Sequence, residues 1–264
     1  MSLKVIDLFA GAGGLSLGME QLGCQTALCV DYDAHSIETL KRNKSDATQV
    51  LMEDLSKFDV CSLRELANIG REEFILVGGP PCQPFSKNSY WTEEGHDSKY
   101  RRARASGKVG KAPTPLSAPR QDDRRFLIDT FSDAVRESKP EAFVFENVAS
   151  ILHPRNRKTF DEFVERLRSY GYSLAIQKSL AISYGIPQKR ERVFVLGLRG
   201  REMPKFSPPS HKIKETDASH LLPVPAVSDV LKEVRFEEEK GIKVEGKWAD
   251  ALKQIPPGMN YKAL

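Results

Sequence analysis

Five short β-prone runs, most of them followed by a turn and a segment of helical periodicity, confine this chain to an α/β architecture built on a largely parallel sheet. The runs are Val5 to Phe9, Thr26 to Val30, Gln49 to Met52, Phe74 to Val77 and Ala142 to Phe145. Runs this short and apolar suit strands covered on both faces. Two further runs, Ser173 to Leu180 and Arg192 to Leu198, are separated by only about ten residues, too few for a helical crossover. They are expected to form an antiparallel hairpin at the sheet edge. The expected fold class is therefore α/β, with a doubly wound, mostly parallel sheet and an antiparallel hairpin at one edge. In open sheets of this kind ligands bind beyond the carboxyl ends of the strands, so the strand exits are where function is sought.

The first exit is Ala10-Gly11-Ala12-Gly13-Gly14, leading into a helical segment from Leu15. Strand, glycine turn and helix open a nucleotide-binding unit, because glycines let backbone approach a ligand at a helix N-terminus. The spacing is not GxGxxG, which argues against a dinucleotide. The second exit carries Asp31 and Tyr32. An acid about twenty residues after such a turn is placed to accept from ribose hydroxyls, and Tyr32 is placed to cover a flat base. Asp33 is a good N-cap for the next helix. Asp54 stands at the third exit.

The fourth exit is Gly78-Gly79-Pro80-Pro81-Cys82-Gln83-Pro84-Phe85-Ser86. A lone cysteine is commonly a small buried apolar residue. On a strand-exit turn it is also a candidate nucleophile. The fifth exit, Glu146-Asn147-Val148, offers either a helix cap or a carboxylate placed to act as an acid. At the hairpin tip, Gln188, Arg190 and Arg192 alternate and are expected to point one way in an extended segment.

Hydrophobic residues make up 40% of the chain and charged residues 29%, which fits a globular protein rather than a disordered one. No apolar run approaches membrane-spanning length and none has signal-peptide form. A cytoplasmic location, or a nuclear one in a eukaryote, is expected, with no membrane partner. The four cysteines form no CxxC pair and no Cys/His cluster, so no metal is expected. Net charge is only +4, but between Lys87 and Arg120 eight basic residues face three acidic ones, with Tyr90, Trp91 and Tyr100 interleaved. Such a stretch is either a solvated loop or a nucleic-acid contact. Helices are expected over Ser62 to Ile69, stopped by Gly70, and over Arg124 to Arg136, with Phe126, Leu127, Phe131, Ala134 and Val135 inward. Phe160, Phe163, Val164 and Leu167 have the spacing of a core helix face. Seven of the 16 prolines lie at or beyond Pro204, where apolar periodicity fades.

Taken together, the Gly-rich turn, GGPPCQPFS, Phe145-Glu146-Asn147-Val148 and Gln188 to Arg192, in that order, resemble the cytosine-5 DNA methyltransferase family. The match spans nearly all of residues 1 to 200, and it implies a Rossmann-like methyltransferase sheet. It also implies S-adenosylmethionine as methyl donor, double-stranded DNA as partner, and a flipped-out cytosine as acceptor. By resemblance, Cys82 attacks carbon 6 of the cytosine. Glu146 protonates the ring nitrogen at position 3, Arg192 binds the base carbonyl, and Arg190 supports the loop or the DNA backbone. The cofactor set is Phe9, Gly11, Gly13, Gly14, Asp31, Tyr32, Asp54, Leu55, Gly79, Pro81 and Leu127. The nucleic-acid set is Gln83, Ser86, Lys87, Arg101, Arg102 and Arg104. An acid shorter than the family's usual Glu stands at the ribose position, and the loop after Ser86 is longer and more basic than the family's.

Residues 1–200 are expected to form the catalytic domain, and 201–264 a linker with the start of an incomplete target-recognition region. The family's recognition domain and C-terminal motif have no counterpart here. The chain is thus expected to be a truncated enzyme, or one subunit of a split enzyme whose second polypeptide supplies them. Two other readings stand beside this one: the family's tRNA-modifying branch, and a non-catalytic homologue that binds nucleic acid.

Overall fold

The computed structural model describes residues 2–85, 122–202, 205–213, 219–232 and 254 of the chain. Among these residues one sheet of seven strands runs in the order β3-β2-β1-β4-β5-β7-β6. Its strands are β1 (Lys4–Leu8), β2 (Gln25–Asp31), β3 (Gln49–Met52), β4 (Phe74–Gly78), β5 (Ala142–Val148), β6 (Tyr172–Leu180) and β7 (Glu191–Arg199). The first five pair in parallel, and β7 pairs antiparallel with both β5 and β6. The chain winds outward from β1 to β3, then returns to place β4 on the other side of β1. Ligand sites form at such a reversal, and here it sets the Gly-rich exit of β1 beside the Cys82 exit of β4.

The helices follow local signals. Helix α1 (Gly14–Gln21) starts after Gly13, and α2 (Ala34–Asn43) is capped by Asp33, whose carboxylate accepts from the Ser36 N–H at 2.8 Å. Alternation along β2 sorts its side chains: Leu28 and Val30 join the larger core, while Cys29 packs with Ile37 and Leu40 under α2. The larger core holds an aromatic group. Phe131 of α4 (Leu127–Ser138) meets Phe145 at 5.4 Å between ring centroids, and Phe145 meets Phe163 of α5 (Pro154–Ser169) at 4.6 Å.

Three sequence expectations need correction. The helix expected over Ser62 to Ile69 is a 3-10 turn, Val60–Ser62, and one α-turn, α3 (Leu63–Leu66). It ends at Asn68, which takes φ 50°, not at Gly70. The helix expected from Arg124 begins at Leu127, after a 3-10 turn Asp123–Phe126 capped by Asp122. A 3-10 turn advances three residues per turn, not 3.6, and this phase change leaves Phe126 66% exposed instead of inward. Lastly, Gln188, Arg190 and Arg192 do not form one extended row. The link holds a 3-10 turn, Ala181–Tyr184, and Gly185 at φ 85°, so β7 begins only at Glu191.

By contact density the chain divides into two units, Met1–Val224 and Pro225–Leu264. The first contains the whole sheet. In the second the described residues form one short helix, α6 (Val227–Leu231). No helix among the described residues is long and apolar enough to cross a membrane.

Candidate active site

Two cavities meet above the carboxyl ends of β1, β4 and β5. The first, about 530 Å³, is bounded by Asp31, Tyr32, Asp54 and Leu55 on one side and by Cys82, Gln83, Glu146 and Arg192 on the other. Leu127 and Arg124 complete its wall. The second, about 810 Å³, is lined by Ala10, Gly14, Leu15, Tyr184, Phe194 and Phe206. Phe9, Gly79, Glu146, Arg190 and Arg192 border both.

At the junction sits one carboxylate between two guanidinium groups. Arg192 Nε lies 2.9 Å from Glu146 Oε1 and Arg190 Nη2 lies 3.5 Å from the same oxygen. Strand pairing explains the meeting. Val148 of β5 lies opposite Arg192 of β7, so the antiparallel register brings the arginine to the carboxylate two residues away. Both guanidinium groups use Oε1. The Oε2 atom faces Gly79, where a Cβ would stand 3.4 Å away, so a glycine leaves that oxygen approachable. Cys82 is half-buried on the exit turn of β4 and faces the same cavity.

The Gly-rich turn is built by left-handed backbone. Phe9, Gly11 and Gly13 all have positive φ, at 57°, 54° and 86°. At Gly13 a Cβ would also come within 2.9 Å of Leu40 Cδ2, so a side chain there is both strained and crowded. Phe9 is a bulky residue in a region that disfavours it by about 1–2 kcal/mol, and it stands at the border of both cavities. Asp31 stitches the turn to β2. Its Oδ2 accepts from the Gly11 N–H at 2.8 Å and its Oδ1 from the Asp33 N–H at 2.9 Å. Each oxygen keeps a second lone pair for a ligand hydroxyl.

Beneath the turn lies a buried acid that sequence reasoning missed. Asp7 is fully buried, and one of its oxygens accepts the Ser16 N–H at 3.2 Å, in effect capping α1 from the neighbouring strand. The other has no hydrogen-bond partner among the described residues. Burial pushes the Asp7 carboxyl up to about 6, against the pull of Ser16 and Lys44 and with a small push from Asp31. The folded chain therefore holds a proton there between about pH 4 and 6 that the unfolded chain releases, so stability falls as pH rises through that window, by about 3 kcal/mol in total. Asp7→Asn keeps an oxygen to accept from Ser16 and removes the ionisation. Urea titrations at pH 4 and pH 7 are expected to show most of that decline disappearing in the variant, and an unchanged decline would contradict this account of Asp7.

Of the other residues singled out from sequence, Pro81 lines the first cavity and Gly14 the second. Gln188 is exposed and lines neither. Ser86, Lys87, Arg101, Arg102 and Arg104 lie outside the described residues. Sequence reasoning also passed over Glu53, Ser56, Asp123 and Arg124 as lining residues, and over the structural part played by Asn147. That buried amide donates to the Pro80 carbonyl at 3.1 Å and so ties β5 to the Cys82 turn. Among the described residues no cluster of His, Cys, Asp and Glu is arranged to hold a metal.

The doubly wound sheet thus gathers a thiol, a carboxylate and two guanidinium groups around one cleft at its strand exits. Comparison with known proteins narrows this. Residues 3–101 and 117–261 match the family described as C-5 cytosine-specific DNA methylase. The chain belongs to that family. It is 30% identical to the Type II methyltransferase M.SacI of Streptomyces achromogenes, over 98% of this chain and 65% of that protein. It is 33% identical to the Type II methyltransferase M1.HphI of Haemophilus parahaemolyticus, over 80% of this chain and 50% of that protein. It thus spans between half and two thirds of these relatives. A prophage-encoded Escherichia coli protein described as a DNA modification methyltransferase shares the fold, with TM-score 0.64, 24% identity, and coverage of 97% of this chain and 66% of that one.

Proposed function

We propose that this chain carries the catalytic centre of a DNA cytosine-5 methyltransferase, with S-adenosylmethionine in the first cavity and a flipped-out cytosine at the junction of the two. The observation that carries the reading is the grouping of Cys82, Glu146 and Arg192 around one cavity that also has a nucleoside-sized wall. A volume of about 530 Å³ lies within the range of small-molecule sites. Tyr32 is 70% exposed at its mouth, suited to stack on adenine, and Asp31 offers acceptors to ribose hydroxyls. Asp54 lies at the same wall, where hydrogen bonds from Ser56 hold its carboxyl below the usual range, so it stays an acceptor at neutral pH. Leu55 and Leu127 supply apolar surface, and Phe9, Gly11, Gly13, Gly14, Gly79 and Pro81 supply the close backbone approach.

When bound, S-adenosylmethionine supplies an electrophilic methyl group. The protein's part is to make cytosine carbon 5 a nucleophile. The Cys82 thiolate forms a bond to carbon 6, and the displaced ring electrons move toward carbon 5, the ring nitrogen at position 3 and the carbonyl. Glu146 delivers a proton to that nitrogen, and Arg192 stabilises charge on the carbonyl oxygen. After carbon 5 has gained the methyl group, a base carried by solvent takes its proton, the electrons of that bond re-form the carbon 5–carbon 6 double bond as the carbon–sulfur bond breaks and releases the thiolate, and the proton on the ring nitrogen returns to Glu146. A base inside a duplex cannot reach Cys82, so the target must leave the stack. Double-stranded DNA is the proposed partner. Gln83 stands at the cavity, and Ser86, Lys87, Arg101, Arg102 and Arg104 are proposed contacts to the polyanion. Target reading by the length that the relatives have beyond this chain, on the same or a second polypeptide, is part of the proposal. So is a cytoplasmic setting.

The test is transfer of a tritiated methyl group to duplex DNA, with the product mapped by nucleoside digestion. Label in 5-methylcytosine is the expected result; label at another position, or preferential labelling of tRNA, would overturn it. In the same assay Tyr32→Ala is expected to weaken cofactor binding by roughly tenfold, the loss of one stacking face. Calorimetry with S-adenosylhomocysteine checks that figure, and an unchanged affinity would remove Tyr32 from the site.

A further inference from the structure

We propose that Arg125 is a positioning residue for the Cys82 turn, and that it acts from the same turn of chain that walls the cofactor cavity. This rests on reading Cys82 as the nucleophile. In the 3-10 turn Asp123–Phe126 and its continuation, Asp123, Arg124 and Leu127 line the first cavity. Arg125 does not. Its Nη1 donates to the Pro84 carbonyl at 2.9 Å, its Nη2 to Asn156 Oδ1 at 2.8 Å, and its guanidinium carbon lies 4.8 Å from the Phe85 ring centre. Asn156 in turn donates to the Ser150 carbonyl at 2.9 Å, and the Ser150 hydroxyl donates to the Phe85 carbonyl at 2.6 Å.

These contacts grip the segment that follows the nucleophile. The Phe85 N–H donates back to the Cys82 carbonyl at 3.0 Å and closes the turn. Arg125 holds the Pro84 carbonyl and the face of the Phe85 ring, Ser150 holds the Phe85 carbonyl, and Asn156 of α5 bonds to both Arg125 and the Ser150 carbonyl. On the other side of Cys82, Asn147 holds the Pro80 carbonyl. Arg125 is the charged member of this chain of contacts, and charge-assisted bonds are about twice as strong as neutral ones. Only a planar fork can donate in two directions while stacking on a ring, so lysine is not its equivalent. Arg125 thus fastens the Cys82 turn from a stretch of chain whose neighbouring side chains line the cofactor cavity. A nucleophile held near its attack geometry gains rate without gaining affinity.

The test compares wild type with Arg125→Gln, Arg125→Lys and Cys82→Ser by amide hydrogen exchange, which needs neither DNA nor turnover. In Arg125→Gln the peptide covering 79–85 is expected to exchange about tenfold faster, with β1 and β5 peptides little changed. Arg125→Lys should fall between that variant and wild type. On DNA containing 5-fluorocytosine, covalent trapping by Arg125→Gln should slow by about tenfold or more while S-adenosylhomocysteine affinity stays within about threefold. Wild-type exchange at 79–85 in Arg125→Gln, or an equal rise across the whole chain, would overturn the proposal. Cys82→Ser separates the two readings: it should keep wild-type exchange and lose trapping, and if it still traps, the nucleophile assignment fails while the exchange result stands.

Discussion

Cys82→Ser is expected to lower methyl transfer to cytosine by about ten-thousand-fold or more. A hydroxyl in place of the thiol gives almost no anion at neutral pH, and without addition at carbon 6 the cytosine ring offers no nucleophilic carbon 5. The loss should be confined to chemistry. Cys82 sits half-buried on a turn whose grip comes from the Pro80, Pro84 and Phe85 carbonyls and the Phe85 ring, not from the sulfur. Cofactor affinity and melting temperature should therefore match wild type. Steady-state transfer of labelled methyl alongside calorimetry checks this, and a variant that keeps full transfer would remove Cys82 from the mechanism.

Glu146→Gln is expected to cost about a hundred- to a thousand-fold in kcat. Gln has nearly the same shape and can still donate to the ring nitrogen, but it cannot transfer a proton there. It also leaves Arg192, 80% covered by protein, without the anion that lies 2.9 Å from it in the native chain. Single-turnover rates at saturating cofactor and DNA separate the two consequences. A loss in the chemical step with little change in cofactor affinity supports the acid role. A loss that appears only as weakened DNA binding would instead assign Glu146 to holding the arginines.

Much of the fold was legible because the strands are short, apolar and bounded by glycine, proline or acid. The antiparallel hairpin was legible from loop length alone, since about ten residues cannot make a crossover. What failed was local phase. Phe126 keeps helical spacing in the sequence, yet the 3-10 turn ahead of α4 rotates it into solvent. Gln188 was grouped with Arg190 and Arg192 by alternation, but alternation holds only within a strand, and β7 starts after it. In the site, the strand-exit residues were legible because a doubly wound sheet gathers its exits. Asp7 was not, since an acid inside a β-prone run carries no sign that its carboxyl caps a helix nine residues on. Arg125, Ser150 and Asn156 were not legible either. They act through side-chain bonds spanning 41, 65 and 31 residues, and such long-range polar contacts leave no periodic signature.

The most direct measurement of the central claim is covalent trapping on duplex DNA carrying 5-fluorocytosine, with S-adenosylmethionine present. Fluorine at carbon 5 cannot leave as a proton does, so the final elimination stops with the carbon–sulfur bond intact. The account predicts a denaturant-stable DNA adduct whose peptide mass places the modification on Cys82. An adduct on another residue, or methyl transfer to DNA that proceeds with no adduct at all, would contradict it.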